Sequence, residues 1–209
     1  MSLTTQVNAV TRSTTPKGRK HLVELVQFFP SEPAAVWDAL TSPDAMSQWF
    51  DNLEGSLKEG GRYRLALSRH HGRIRDCIPH EKLSVTWEYD GSFSSLRITM
   101  SPSGRGTKLK VSHEVLADEH WDTFGPSATG IGWDGALYSL SLYLQGDLLS
   151  NPDNMAKHMA TPEGLQFITD LAESWKRAHN YAGANHKIAE LQAARTAAFY
   201  RGEKPPEAL

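Results

Sequence analysis

A strict alternation of apolar and polar side chains runs through four segments between residues 62 and 113, and it constrains the fold more than any other feature. One phase of the alternation comprises Tyr63, Leu65 and Leu67, then Leu83, Val85 and Trp87, then Leu96, Ile98 and Met100, then Leu109, Val111 and His113. Because successive side chains of a β-strand point to opposite faces, each segment forms a strand with one buried and one largely wet face. Glycines at positions 104 and 106 indicate a tight turn between the last two segments. The pattern predicts a curved antiparallel sheet with a covered inner face.

One helical stripe supplies the cover that this sheet needs. Its apolar residues are Trp133, Leu137, Leu140 and Leu144. Their spacing of four, three and four positions predicts a helix over about residues 128–148. Three glycines at positions 130, 132 and 135 precede or enter the stripe, and each lowers helix stability by roughly 1 kcal/mol relative to alanine. They either permit a close approach to the sheet or loosen the start of the helix.

The rest of the chain is interpreted as an N-terminal arm, a main domain and a C-terminal extension. Residues 1–20 lack an apolar period, so we expect a flexible arm whose end could add an early strand. Residues 21–149 form the main domain, which begins with a strand at 21–29 that is apolar on both faces. Ser31 and Pro33 then predict the start of a short helix.

Residues 150–209 form a helical extension with two amphipathic segments, at about 162–181 and 185–200. Burying a large apolar side chain contributes roughly 1.5 to 3 kcal/mol, so we expect both helices to pack. They would pack onto their own domain or across a homodimer, and an alternative role is a lid over a cavity mouth. The predicted faces are Leu165, Ile168, Leu171 and Trp175, and Ile188, Leu191 and Phe199.

Four local motifs precede the long helix and connect the chain to a known superfamily. They are Pro-Ala-Ala-Val-Trp-Asp-Ala-Leu at 33–40, Trp-Phe at 49–50, Gly-Gly-Arg-Tyr at 60–63 and Pro-His-Glu-Lys-Leu-Ser-Val-Thr-Trp at 79–87. With the motifs in this order, the chain resembles the START-like (SRPBCC, helix-grip) superfamily over about residues 21–148. Within that superfamily it resembles the branch of activator of heat-shock-protein-90 ATPase homologues. The resemblance implies an α+β helix-grip fold, in which a curved sheet wraps around a long C-terminal helix and usually leaves a cavity between them. Function does not follow from it, because the superfamily hosts carriers, cyclases and co-chaperones on one scaffold.

His113 is the residue most suited to chemistry, because it shares the inward phase of Leu109 and Val111. A neutral imidazole facing the cavity could bind a ligand or act as a general base. The alternative is a core histidine hydrogen-bonded to a tyrosine or a backbone carbonyl. We expect the cavity wall to be drawn from Trp49, Phe50, Trp87, Ile98, Val111, His113, Trp133, Leu137 and Ser141.

A dense group of basic residues lies on the hairpin predicted before residue 78. It comprises Arg62, Arg64, Arg69, His70, His71, Arg73 and Arg75. Charged residues that alternate along a strand usually occupy its wet face. The alternative is that they receive an anionic ligand or an acidic partner surface.

Composition excludes several classes of function. A formal net charge of −2 argues against a general nucleic-acid binder. The single cysteine, Cys77, cannot form an internal disulfide, which favours a cytoplasmic location. No apolar run approaches the ~18 residues of a membrane span, and no apolar segment typical of a secretory signal is present near the N-terminus. The histidines form no HExxH motif, and no glycine-rich phosphate loop or GxSxG motif occurs, so we expect no metal and no cofactor.

We therefore expect a protein that binds a small apolar or amphipathic ligand between sheet and helix. Two alternatives remain open: a co-chaperone-like module that contacts a chaperone, and an enzyme of the cyclase or hydratase kind that uses His113. The size and polarity of the space under the sheet distinguish the three classes.

Overall fold

The computed structural model describes residues 1–208, and its centre is an eight-stranded sheet in which all neighbouring strands are antiparallel. The strands are β1 (Val10–Lys17), β2 (Lys20–Phe29), β3 (Leu53–Gly55), β4 (Arg62–Leu65), β5 (His71–Ile78), β6 (Lys82–Tyr89), β7 (Ser92–Ser103) and β8 (Gly106–Leu116). Their spatial order is β1-β2-β8-β7-β6-β5-β4-β3. The alternating segments are thus strands, as predicted, except that β4 ends at Leu65 and Leu67 lies exposed in the turn that follows. The turn at positions 104–105 connects β7 to β8.

Eight helices accompany the sheet in this part of the chain. They are α1 (Leu3–Ala9), α2 (Pro33–Thr41), α3 (Pro43–Met46), α4 (Glu119–Phe124), α5 (Ser127–Leu144), α6 (Pro152–Met159), α7 (Pro162–Tyr181) and α8 (His186–Tyr200), with a 3₁₀ turn at Leu148–Ser150. Helix α5 lies in the grip of the sheet, and its Leu137 and Leu140 are buried with Val111 and Ile98 of the inner sheet face. The predicted α+β helix-grip fold is confirmed. No helix of residues 1–208 combines the length and hydropathy needed to cross a bilayer.

Residues 3–17 form helix α1 and strand β1, so the prediction of a flexible arm is wrong, whereas the early strand expected at its end is present. Strand β1 pairs with β2 along its whole length, from Val10 opposite Gln27 to Lys17 opposite Lys20. Its apolar period is missing because polar side chains occupy the inward positions after Val10, where Arg12 and Thr14 are covered by the protein. The signal for a strand is therefore absent from the hydropathy pattern.

The C-terminal extension packs onto its own domain. Helix α7 contacts α1, β1 and α5, and Trp175 is completely buried. A Cβ atom at Gly130 of α5 would overlap the indole of Trp175. The close approach that glycine permits in α5 is therefore to this extension rather than to the sheet.

The predicted apolar face of α8 is wrong. Ile188 and Phe199 are 54% and 65% exposed, and α8 instead buries alanines together with Gln192 and Thr196. The Gln192 side-chain amide donates to the carbonyls of Trp121 and Asp122, and Thr196 donates to the carbonyl of Phe124. These polar groups donate to carbonyls in the last turn of α4, which explains why they occupy the buried face.

Candidate functional site

An apolar cavity of about 70 Å³ lies beneath the inner face of β4–β7. Helices α2 and α3 and the chain that follows them close one side, and Trp133 of α5 closes another. Tyr63 is the only residue of the wall that carries a titratable group, and its hydroxyl donates to the carbonyl of Thr86 at 2.7 Å. Burial raises the pKa of Tyr63, so the wall presents no charge to an occupant.

Three aromatic side chains form a half-buried rim beside this cavity: Phe50, Trp87 and Trp133. The ring centroid of Trp133 lies 5.2 Å from that of Trp87 and 6.4 Å from that of Phe50. Trp49 continues the cluster at 5.2 Å from Phe50, and its indole N–H donates to the carbonyl of Ala39. Such rings offer a large apolar contact area at little conformational cost.

His113 is held behind the rim by two side chains. The Trp133 indole N–H donates to His113 Nδ1 at 3.0 Å, and Ser94 Oγ lies 2.8 Å from His113 Nε2. Since an indole can only donate, Nδ1 is the unprotonated nitrogen, and the proton resides on Nε2 and is donated to Ser94. Ser94 in turn donates to the carbonyl of Trp87. His113 is thus a neutral, fully hydrogen-bonded residue that fixes the Trp133 ring.

Burial lowers the pKa of His113 to about 4, and the neighbouring His70 adds to this shift. The imidazole is therefore neutral near pH 7, and both of its nitrogens are engaged. A general base must reach the proton that it removes, but His113 does not line the cavity. The alternative of a hydrogen-bonded core histidine describes this residue, with a tryptophan and a serine in place of the expected tyrosine or backbone carbonyl.

The structure brings five of the nine predicted wall residues to the cavity: Trp49, Phe50, Trp87, Ile98 and Trp133. Val111, His113, Leu137 and Ser141 lie elsewhere in the interior.

Ser141 belongs to a separate polar cluster beneath β2. Gln27 donates to Ser141 Oγ at 2.8 Å and accepts from Gln6 of α1 at 2.9 Å. This cluster connects α1, β2 and α5, so Ser141 has a structural partner at a distance from the cavity.

Several wall residues were absent from the predicted set. Tyr63, Leu65, Val85 and Leu96 share the inward phase of their strands, so the alternation itself could have identified them. Leu40, Met46, Leu53 and Leu57 come from short helices, an edge strand and a loop, and only the tertiary structure brings them to the cavity. The lid hypothesis for the extension fails, because every wall residue lies between positions 40 and 133.

A buried ion pair connects α5 to strand β1 of the sheet. Arg12 Nη2 lies 2.7 Å from Asp134 Oδ1, and Trp175 Nε1 donates to Asp134 Oδ2 at 2.8 Å. Burial raises the pKa of the Asp134 carboxyl, while the hydrogen bonds from Arg12 and Trp175 act in the opposite direction. The contact joins β1, α5 and α7 and thereby sets the position of Trp133 one residue earlier on α5. Among residues 1–208, no three His, Cys, Asp or Glu side chains converge as a metal site requires.

A sheet curled around one long helix, with an apolar space between them, defines a helix-grip protein. The family model described as "Activator of Hsp90 ATPase homolog 1-like protein" matches residues 30–145, and the chain belongs to this family. The superfamily and branch that the sequence motifs indicate are thus confirmed. Comparison with curated protein sequences found no match.

Solved structures share this architecture. The crystal structure of CalU16 from Micromonospora echinospora has 26% identity and a TM-score of 0.63, and the match covers 82% of this chain and 96% of that one. Its solution structure has 28% identity and a TM-score of 0.66, with coverage of 83% and 94%. DynU16, a protein in the dynemicin biosynthetic locus, has 21% identity and a TM-score of 0.57, with coverage of 63% and 50%. The similarity to CalU16 extends beyond the region that the family model matches.

Proposed function

We propose that this protein binds a small apolar ligand in the cavity beneath β4–β7. The observation that carries the proposal is an uncharged cavity next to the aromatic rim of Phe50, Trp87 and Trp133. Binding sites for small molecules are usually concave and mostly apolar, with few polar groups. Acid–base catalysis has less support, because no pair of titratable side chains converges on this cavity within the described residues.

The cavity volume defines what this conformation can hold. About 70 Å³ is roughly half of the ~150 Å³ of an apolar cavity that admits benzene. A larger ligand therefore requires an opening movement. Strand β3 is the element suited to move, because it has three residues and pairs with β4 alone at the end of the sheet. Leu53 on β3 and Leu57 just after it are half-buried wall residues, so their displacement would enlarge the cavity.

The test uses the full-length protein and the dye N-phenyl-1-naphthylamine, which fluoresces in apolar surroundings. We expect saturable binding with one dye per chain. Leu57→Trp places a larger side chain at the proposed opening and should weaken binding at least tenfold. Leu148→Trp is the matched control, because Leu148 is 82% exposed and does not line the cavity, and this variant should bind like the parent protein.

Two results would contradict the proposal: no saturable binding, or equal weakening in both variants. The small volume would then favour the second candidate, a protein-interaction role of the kind that the family description names. That role predicts stimulation of a purified Hsp90 ATPase by this protein.

A further inference from the structure

The outer face of the sheet carries a second concave region, on the side opposite the apolar cavity. It has a volume of about 540 Å³, and its walls are side chains of β1, β2 and β5–β8. We call it the outer recess and define it by Arg75, Ser84, Phe93, Arg97, Lys110 and Ser112. The proposed apolar ligand site does not use these residues.

Strand register places two arginines beside one serine. Ser84 on β6 lies directly opposite Arg97 on β7, and Arg97 lies directly opposite Ser112 on β8. On the other side of Ser84, the β5–β6 register shifts between Ile74 and Asp76, which leaves Arg75 as the extra residue of a bulge. Bulges re-aim side chains, and this one places Arg75 in the recess wall.

The positive charge of the outer recess is only partly compensated. Lys110 pairs with Glu24 at 2.6 Å, and Lys17 pairs with Glu114 at 2.6 Å. Within residues 1–208, neither Arg75 nor Arg97 takes part in an ion pair. Two guanidinium groups therefore remain available to an anion.

Ser84 supplies an independent sign of a ligand. Its hydroxyl oxygen is buried and has no hydrogen-bond partner in the described part of the chain. A buried hydroxyl without a partner is costly, and a shift of the side chains that cover it would let it donate to the oxygen of an anion held between the two arginines. By contrast, the Ser112 hydroxyl already donates to Glu24 at 2.8 Å.

We propose that the outer recess binds a small organic anion. A phosphate or carboxylate group would lie between Arg75 and Arg97, since a guanidinium recognises both groups through paired N–H donors. The apolar part of the ligand would lie against Phe93, which is half exposed and shares the outward phase of Arg97. Of the basic residues on the hairpin predicted before residue 78, Arg75 would thus receive the anion, together with Arg97 from β7.

The experiment is a ¹H–¹⁵N chemical-shift titration of the full-length protein at constant ionic strength, with phenyl phosphate and, separately, benzoate. We expect saturable shifts of the backbone amides of Ser84 and Arg97 with at least one probe. Arg75→Gln and Arg97→Gln should each weaken binding at least tenfold. Arg64→Gln is the matched control, because Arg64 lies on β4, outside the recess, and pairs with Glu54; its effect should be below twofold.

The two probes identify the anionic group. Binding of phenyl phosphate alone assigns the recess to phosphates, benzoate alone assigns it to carboxylates, and both results support the proposal. Absence of saturable shifts with either probe overturns it, as does equal weakening by all three variants. Shifts confined to residues of the apolar cavity also overturn it. Because the dye assay reports the opposite face of the sheet, failure of one proposal leaves the other unaffected.

Discussion

Loss of the Arg12 guanidinium should destabilise the fold strongly, because its partner would remain as an unpaired charge in the core. The Asp134 side chain is 0% exposed and that of Arg12 is 6% exposed. Arg12 Nε lies 3.1 Å and 3.0 Å from the two carboxylate oxygens. Removing one partner of such a buried pair costs about 3 to 5 kcal/mol, which we expect for Arg12→Met.

Removal of both charges should cost much less than the two single changes together. Asp134→Leu alone leaves the Arg12 guanidinium unpaired, also at about 3 to 5 kcal/mol. In the double variant no charge is buried, and the main loss is the acceptor of the Trp175 indole N–H, at about 1 to 3 kcal/mol. We therefore expect a non-additivity of at least about 3 kcal/mol, which is at the upper end of measured couplings.

Urea unfolding followed by circular dichroism measures these free energies, provided that the denaturant dependence stays constant among the variants. Lys17→Met is the matched control on the same strand, because Lys17 is 67% exposed and its pair with Glu114 should contribute less than about 1 kcal/mol. The reasoning is refuted if Arg12→Met costs no more than this control, or if the double variant equals the sum of the single ones.

Two further predictions concern His113 and Gly130. The pKa of His113 is about 4 in the folded protein and about 6.5 in the unfolded chain. As the pH falls below about 6.5, the His113 imidazole is therefore protonated in the unfolded chain but still neutral in the folded protein. The stability that the neutral imidazole contributes is complete above that pH, and roughly 2 kcal/mol of it should be lost between pH 7 and 5. In His113→Asn, urea unfolding at the two pH values should show a correspondingly smaller loss, and an unchanged loss would contradict this assignment. Gly130→Ala should lower the free energy of unfolding by about 1 to 3 kcal/mol, because the added methyl group overlaps Trp175. Gly135→Ala, which has open space around it, should be neutral or stabilising when both variants are compared by urea unfolding, and equal effects of the two changes would count against the packing argument.

Residues 62–116 were predictable because their strands obey a local rule. Each strand buries one face, so the order of apolar side chains along the chain reports the strand, its inward phase and the need for a covering helix. Trp87, Ile98 and Trp133 could be assigned near the cavity on this basis. The tail helices were also found from their caps and periodicity, with bounds close to those of α7 and α8.

The same rule fails wherever a polar side chain is buried with a partner from a distant part of the chain. Arg12 is 122 positions from Asp134, and Gln192 is about 70 positions from the carbonyls that it satisfies. Hydropathy scores such residues as exposed, which concealed strand β1 and led to the wrong face of α8.

The sequence by itself determined the α+β fold class, the alternating strands between residues 62 and 116 and the helix that they grip, since these follow from periodicities of two and about 3.6 residues. Only the tertiary structure decided how large the cavity is, that His113 is committed to Trp133 and Ser94, and that Arg75 and Arg97 lie on either side of Ser84. The physical reason is that cavity volume, the hydrogen-bond partners of a buried group and the register between strands are properties of residues brought together from separate segments. No local pattern encodes them.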